Sequence, residues 1–301
     1  MPFSYIRSWP VARILAGVAA TVVSMLLLIL DTQHAALASL MPGRPRAKPA
    51  VRKVGPSFLR LRLGSSEHVS PTCKRLRFQL PSHDAASGLD LCSAVLTTAW
   101  PKGSFFPVVR PYTPVNRLDE RGFLELTVKR YPGGKMSTHL HSLVPGDTLL
   151  FVAAMPGYRW TPNKHQAVTL IAGGVGITPI FQLAQGILSN PLDKTAIELV
   201  YGADSDSEML FRDQFARWQA RFPGRFSATY VVRSPGPGSG HTGADISVGL
   251  LARLMPLPGG STKVFVCGPP ALERALEGGG RFGAEGFLGR LGYAKGQIHK
   301  F

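Results

Sequence analysis

The run Ala167-Val168-Thr169-Leu170-Ile171-Ala172 leads directly into Gly173-Gly174-Val175-Gly176-Ile177-Thr178-Pro179, and the reading of this stretch decides the fold. Six nearly continuous apolar residues suit a strand buried on both faces, as in a parallel sheet. Pro179 fits the first turn of a helix, where a missing N–H costs nothing, so a helix is predicted over residues 178–188. The glycines between strand and helix let a ligand approach the backbone, and the helix start offers unpaired N–H groups to a pyrophosphate. The third glycine of the dinucleotide fingerprint is absent, and Pro179 stands near its place. In isolation such a turn serves a purely structural role as readily as a binding one; its place at the head of a series favours binding.

Towards the C-terminus the same alternation repeats. Short apolar runs at 197–201, 228–232 and 264–267 are each followed by a helical pattern, at 209–222, 246–254 and 271–277. Four strand–helix units predict a doubly wound α/β parallel sheet. Towards the N-terminus the period changes to two. Leu59, Leu61 and Leu63 alternate with Arg60 and Arg62, and Leu76, Phe78 and Leu80 with Arg75, Arg77 and Gln79; Leu124, Leu126 and Val128 follow suit, then 148–152. Half-buried antiparallel strands of this kind predict a small β-barrel. The two halves are expected to span residues 57–158 and 159–301.

Composition narrows the class. In 301 residues, 33 glycines and 25 prolines exclude a coiled coil or helical bundle. Cys73, Cys92 and Cys267 form no disulfide framework and no C-x-x-C pair, so a reducing compartment and no metal site are expected. Of the formal +16, residues 1–55 carry +6 and the remainder +10. That field favours acidic proteins, anionic membranes or nucleic acid, but no helix–turn–helix or aromatic-basic motif supports the last. Residues 14–30 are uncharged and would span roughly 25 Å as a helix, against a bilayer core of about 30 Å. A membrane anchor at 1–40 is expected, with a Pro/Arg/Lys linker at 41–56; a secretory or mitochondrial address is the competing reading. The basic linker points to a catalytic part facing the cytosol.

Three further motifs carry chemistry. Arg110-Pro111-Tyr112-Thr113-Pro114 offers a guanidinium for phosphate, an aromatic face for a flat ring and a hydroxyl for a ring nitrogen. Gly133-Gly134-Lys135-Met136-Ser137 precedes a short helix at 138–143 and makes a second phosphate seat. Val266-Cys267-Gly268-Pro269-Pro270 ends the last parallel strand, at the edge where such sheets bind ligands. Each alone also reads as an ordinary turn or a buried cysteine.

In this order the four motifs resemble the ferredoxin–NADP reductase superfamily and, within it, the NADH–cytochrome b5 reductases. The similarity runs from about Pro56 to the terminal Phe301. It implies an FAD-binding barrel followed by an NAD-binding α/β domain. By resemblance Arg110 with Pro111 binds FAD phosphate, Tyr112 packs on the isoalloxazine and Thr113 lies near flavin N5. Gly134, Lys135, Met136 and Ser137 meet the pyrophosphate, Lys129 touches cofactor, and Thr178 sits between flavin and nicotinamide. Gly174, Gly176, Pro179, Gly268 and Pro269 hold NAD, and Cys267 faces the nicotinamide as a catalytic group with Thr113. Two departures are visible: residues 90–100 do not align, and the Gly-Pro pair expected after the barrel's last strand reads Val152-Ala153-Ala154-Met155-Pro156-Gly157.

After 197–201 the loop carries Asp204, Asp206 and Glu208. Acids there repel a 2′-phosphate and accept a ribose hydroxyl, so NADH is favoured over NADPH; Arg212 and Arg233 weigh the other way, and the resemblance makes Glu208 the discriminator. The expected activity is hydride transfer from NADH to FAD, then single electrons to an acidic haem protein such as cytochrome b5, by a monomer on the endoplasmic reticulum or outer mitochondrial membrane. Another acceptor (a ferric chelate, quinone or other haem protein) and a non-catalytic adaptor on the same fold remain the alternatives.

Overall fold

The structure, a computed structural model, describes residues 50, 56–241, 243–279 and 285–301. The expected anchor and nearly all of the linker lie outside the described residues, as does Gly280. Among the described residues no helix is long and apolar enough to cross a membrane.

The first half is a six-stranded antiparallel sheet built from β1 (Pro56–His68), β2 (Cys73–Gln79), β3 (Ala94–Ala99), β4 (Val108–Tyr112), β5 (Phe123–Lys129) and β6 (Thr148–Met155), in the order β4-β3-β6-β1-β2-β5. Its two edges meet where Pro114, just past β4, bridges Leu126 of β5 and Val115 N donates to Glu125 O at 2.9 Å. The alternating leucines do what their period demands: Leu61, Leu63, Leu76 and Phe78 fill the interior while Arg60 and Arg62 face water. β5 departs from that pattern, since Glu125 and Thr127 are buried as well. Its outer face is covered by the second half, and Glu125 is paired with Arg77 at 3.0 Å and Arg75 at 3.5 Å. A short helix, α1 (Lys135–Ser142), plugs one end of the sheet with Met136 and Leu140. The unaligned segment 90–100 supplies β3, which sets Val95 and Leu96 side by side ahead of two threonines, so no alternation shows.

The second half is a five-stranded parallel sheet of β7 (Ala167–Gly173), β8 (Ala196–Ala203), β9 (Phe226–Val232), β10 (Thr262–Cys267) and β11 (Ile298–Lys300), in the order β11-β10-β7-β8-β9. Helices α2 (Ile177–Ser189) and α3 (Arg212–Arg221) cover one face. Helices α4 (Val248–Leu254), α5 (Pro270–Glu277) and α6 (Phe287–Arg290) cover the other. The continuous apolar runs follow from this: Leu170, Leu199 and Phe265 pack under α2 and α3, while Ile171, Val200 and Val264 pack under α4 to α6. α3 starts three residues later than its apolar spacing suggests. Phe211 sits in the left-handed region (φ 61°), which turns the chain and leaves Met209 and Leu210 as plugs in the core. β11 and α6 were not anticipated, being too short for any periodicity.

Because β8 lies on one side of β7 and β10 on the other, the chain reverses its winding at β7. The crevice outside the carboxyl ends of β7 and β10 is therefore where a ligand can enter the sheet.

Phe215 is fully buried, with ring centroids of Phe181, Trp218 and Phe226 at 5.9, 5.6 and 6.1 Å. Phe215→Ala is expected to cost about 3–5 kcal/mol in urea unfolding, whereas Leu192→Ala, at a side chain 76% exposed, should change stability by less than about 0.5 kcal/mol.

Candidate functional site at the seam of the two sheets

The residues before and after the switch point are forced together by glycine. A Cβ on Gly176 would collide with the carbonyl of Cys267 and lie 2.8 Å from the Gly268 Cα. One on Gly173 would lie 2.7 Å from Leu272 and 2.9 Å from Pro269, and one on Gly268 3.2 Å from the Gly173 nitrogen. The turn after β7 and the turn after β10 thus share one wall, with glycine required where backbone meets backbone, at Gly176 above all.

That wall is one side of a cavity of about 920 Å³, which lies between the two sheets. From the antiparallel half it is lined by Arg110, Pro111, Tyr112, Thr113, Lys129, Gly134, Lys135, Met136 and Ser137. From the parallel half come Gly176, Thr178, Pro179, Cys267, Gly268 and Pro269. Of the residues assigned to the two cofactors from sequence, Gly174 and Glu208 stand outside the lining, as do Asp204, Asp206, Arg212 and Arg233, the other charges weighed for nicotinamide choice. Gly174 takes a positive φ of 52° that shapes the turn. Glu208 points its carboxylate across the seam instead: it accepts from Thr72 Oγ1 at 2.5 Å, Thr72 N at 3.1 Å and Ser70 Oγ at 3.2 Å. As placed here, that carboxylate is engaged by the antiparallel half, where sequence reasoning put it on a nucleotide ribose. Sequence reasoning also missed Cys92, Ala94, Tyr131, Gly157, His299 and Phe301, all of which line the cavity. Gly157 was visible as a departure; here its α-carbon abuts the Cys92 carbonyl so closely that a Cβ would overlap it. His299 arrives on β11 and Phe301 directly after it, Phe301 N donating to Val266 O at 3.1 Å and its ring lying 5.9 Å from that of Phe265.

The charges around the cavity are unevenly satisfied. Lys129 is held by Asp204 at 3.5 Å and Glu208 at 3.7 Å. Arg110 donates to the neighbouring Val109 O at 2.7 Å, and among the described residues neither it nor Lys135 has a carboxylate partner. α1 begins at Gly134 without a side-chain cap, and Ser137 Oγ lies at its start, accepting from Tyr131 N at 3.2 Å. Two free cations beside an uncapped helix start form a seat for phosphate oxygens. The charges beyond the lining, around the loop after β8, are paired among themselves: Arg233 is neutralised by Asp204 and Asp245 at 3.1 and 3.0 Å, while Asp206 accepts from Gly236 N and Ser239 Oγ. Burial pushes the Tyr112 phenol up to about 12 and the Cys267 thiol up to about 12, the latter with a smaller push from Glu273. Both are neutral groups at physiological pH, suited to packing on a flat ring and not to acid–base work.

A cavity of this size, lined by two cations, an uncapped helix start and a phenol from one sheet and by a thiol and two glycine turns from the other, has the chemistry to take phosphate-bearing ligands with flat rings. The oxidoreductase FAD-binding domain family matches residues 60–156, and the oxidoreductase NAD-binding domain family residues 170–278. The NADH-cytochrome b5 reductase 2 of Pyricularia oryzae is 44% identical over 250 residues, covering 81% of this chain and 76% of the relative. That of Emericella nidulans is 41% identical over 264 residues, covering 85% and 82%. This chain belongs to the NADH–cytochrome b5 reductase family. It is an oxidoreductase that uses FAD and NADH. Among solved structures, the cytochrome b5 reductase domain of Ulva prolifera nitrate reductase superposes with a TM-score of 0.74 at 25% identity, covering 84% of this chain and all of that one.

Gly176→Ala isolates the shared wall. The added methyl has to displace the Cys267–Gly268 backbone, so flavin reduction by NADH should slow by roughly 10–100-fold while FAD content stays at the wild-type level. Stopped-flow absorbance and the flavin-to-protein ratio measure the two quantities separately.

Proposed function

We propose that this reductase passes electrons from NADH to cytochrome b5, with FAD bound along the antiparallel half and the nicotinamide on the glycine wall opposite. The observation that carries the reading is the single cavity that gathers Arg110–Ser137 motifs from one sheet and Thr178 and Cys267 from the other. FAD supplies the exchange of a two-electron hydride for single electrons, so that one NADH and two ferric haems become NAD⁺, one proton and two ferrous haems.

The protein's part is placement and charge. Arg110, with Pro111 fixing the strand beside it, and Lys135 would neutralise phosphate, while the N–H groups of Met136 and Ser137 in the first turn of α1 would hold pyrophosphate oxygens, with Gly134, its own N–H turned to the Tyr131 carbonyl, leaving the helix start open. Tyr112 supplies a neutral ring against the flavin and Thr113 a hydroxyl at its reacting edge. Thr178, whose Oγ1 donates to Val175 O at 3.2 Å, fixes the turn between the two ligands. Gly174, Gly176, Pro179, Gly268 and Pro269 keep backbone low enough for the nicotinamide nucleotide, and the protonated Cys267 thiol packs at its ring without competing as a nucleophile.

The acid group after β8 supports NADH over NADPH. Asp204, Asp206 and Glu208 share that loop, and Arg233 is already paired with Asp204 and Asp245, which favours a ribose hydroxyl over a 2′-phosphate against the pull of Arg212; Glu208 contributes its charge there while held by Ser70, Thr72 and Lys129. The +10 carried by residues 56–301 supports an acidic haem protein as acceptor. The apolar run 14–30 and the basic stretch after it support anchoring at a membrane with the catalytic part in the cytosol, at the endoplasmic reticulum or outer mitochondrial membrane.

Steady-state assays with ferricyanide and with cytochrome b5 test the acceptor. Cytochrome b5 reduction should fall steeply as salt rises through about 0.1–0.5 M, with ferricyanide reduction much less affected; ferricyanide activity without cytochrome b5 activity would overturn the choice. Arg110→Ala should leave the protein largely flavin-free, and Cys267→Ser should retain FAD but slow its reduction by roughly tenfold or more.

A further inference from the structure

Gln182 lies on α2, one helical turn beyond Thr178 and facing away from solvent, with 1% of its surface exposed. Its Nε2 donates to the Pro114 carbonyl at 3.0 Å and to the Ser93 carbonyl at 3.3 Å. Both acceptors belong to the antiparallel half, and both adjoin the cavity: Pro114 follows Thr113, and Ser93 lies between the lining residues Cys92 and Ala94. Among the described residues no other side chain of α2 hydrogen-bonds to that half. One turn further on, Gly186 leaves room for Leu91, which occupies the place a Cβ would take. The helix that carries the turn after β7 is therefore fitted against the antiparallel half by a small residue and fastened to it by one amide.

The fastening has an energetic signature. Gln182 Oε1 is buried without a partner among the described residues. A leucine or methionine of similar size would bury the same volume with no orphaned oxygen, so packing alone does not account for an amide at this position. What an amide adds is direction: two N–H bonds of fixed reach to two segments that flank the cavity.

We infer that Gln182 is a positioning residue for hydride transfer, setting the separation between the Arg110–Thr113 segment and the Gly173–Pro179 turn by holding the Ser93 and Pro114 carbonyls. The inference rests on the proposed placement of flavin and nicotinamide in the seam cavity. Gln182 itself touches neither ligand in this reading; it acts through Tyr112, Thr113 and Thr178. Losing the two bonds lets the turn and the ring-bearing segment drift apart by a fraction of an ångström, enough to affect a step that needs contact between reacting atoms.

Gln182→Met removes both donors with little change of volume, and Gln182→Glu replaces them with a carboxylate that donates only when protonated. The full-length flavin-loaded variants are followed by anaerobic stopped flow with NADH, by FAD titration of the stripped protein, and by amide hydrogen exchange of peptides covering 91–99 and 110–118. For Gln182→Met the expected result is an FAD dissociation constant within about threefold of wild type, faster exchange in both peptides, and flavin reduction slowed about 10–100-fold. The long-wavelength charge-transfer band with NAD⁺ should weaken in parallel. For Gln182→Glu the reduction rate relative to wild type should recover as pH falls and the carboxyl takes up a proton. Wild-type reduction rate and band in Gln182→Met overturn the inference, as does a Gln182→Glu defect that is the same at every pH, which also serves should the methionine variant not fold. If wild type itself is not reduced by NADH, the functional reading fails instead, and the two failures are thereby told apart.

Discussion

The arrangement depends on backbone passing backbone where β7 and β10 end side by side. Gly173 and Gly268 pack against each other and against the Leu272 side chain, and the Cys267 carbonyl closes against Gly176. A side chain at any of these places would lift one turn from the other and raise the floor of the cavity. Glycine costs entropy in the unfolded chain, and here that cost is the condition for a flat ligand to lie against main chain. The aromatic core beneath α2 and α3, built on Phe181, Phe215 and Trp218, keeps the floor rigid from behind.

Polar groups reach across the seam beside the apolar cluster that joins Leu91, Cys92 and Val115 to the helices of the parallel half. Glu208 reaches from the parallel half to Ser70 and Thr72, Lys129 reaches back to Asp204 and Glu208, and Gln182 holds two carbonyls of the antiparallel half. Such bonds are directional, so they fix the angle between the sheets as well as their separation. With Lys129 drawn off to these acids, Arg110 and Lys135 remain as the free positive charge on the antiparallel side. The cavity is thereby cationic towards α1, while the acids of the loop after β8 lie outside its lining, beyond Lys129.

Much of this was legible from residue pattern. The alternating leucines of β1, β2 and β5 and the solid apolar runs of β7 to β10 have distinct periods because one sheet is covered on one face and the other on both. The four motifs converge in space because each lies at a strand end or helix start, where the chain must turn. What stayed hidden lacked a local signal. β3 sets Val95 and Leu96 side by side ahead of two threonines, so no alternation shows, and β11 has three residues only. The late start of α3 follows from one left-handed Phe211, which no periodicity encodes. Glu208 was legible as an acid in the right loop, but its engagement with Thr72 is a contact across 136 positions of sequence. Gln182 carries no local signal, since its two acceptors lie 68 and 89 positions away in sequence.

The most direct measurement is a crystal structure of the protein with FAD and NAD⁺ bound. The flavin ring is expected against Tyr112 with its phosphates at Arg110 and the start of α1, and the nicotinamide between it and Cys267. A flavin lying elsewhere, or a nicotinamide bound on a separate surface out of contact with it, would contradict the shared cavity and with it the hydride-transfer reading.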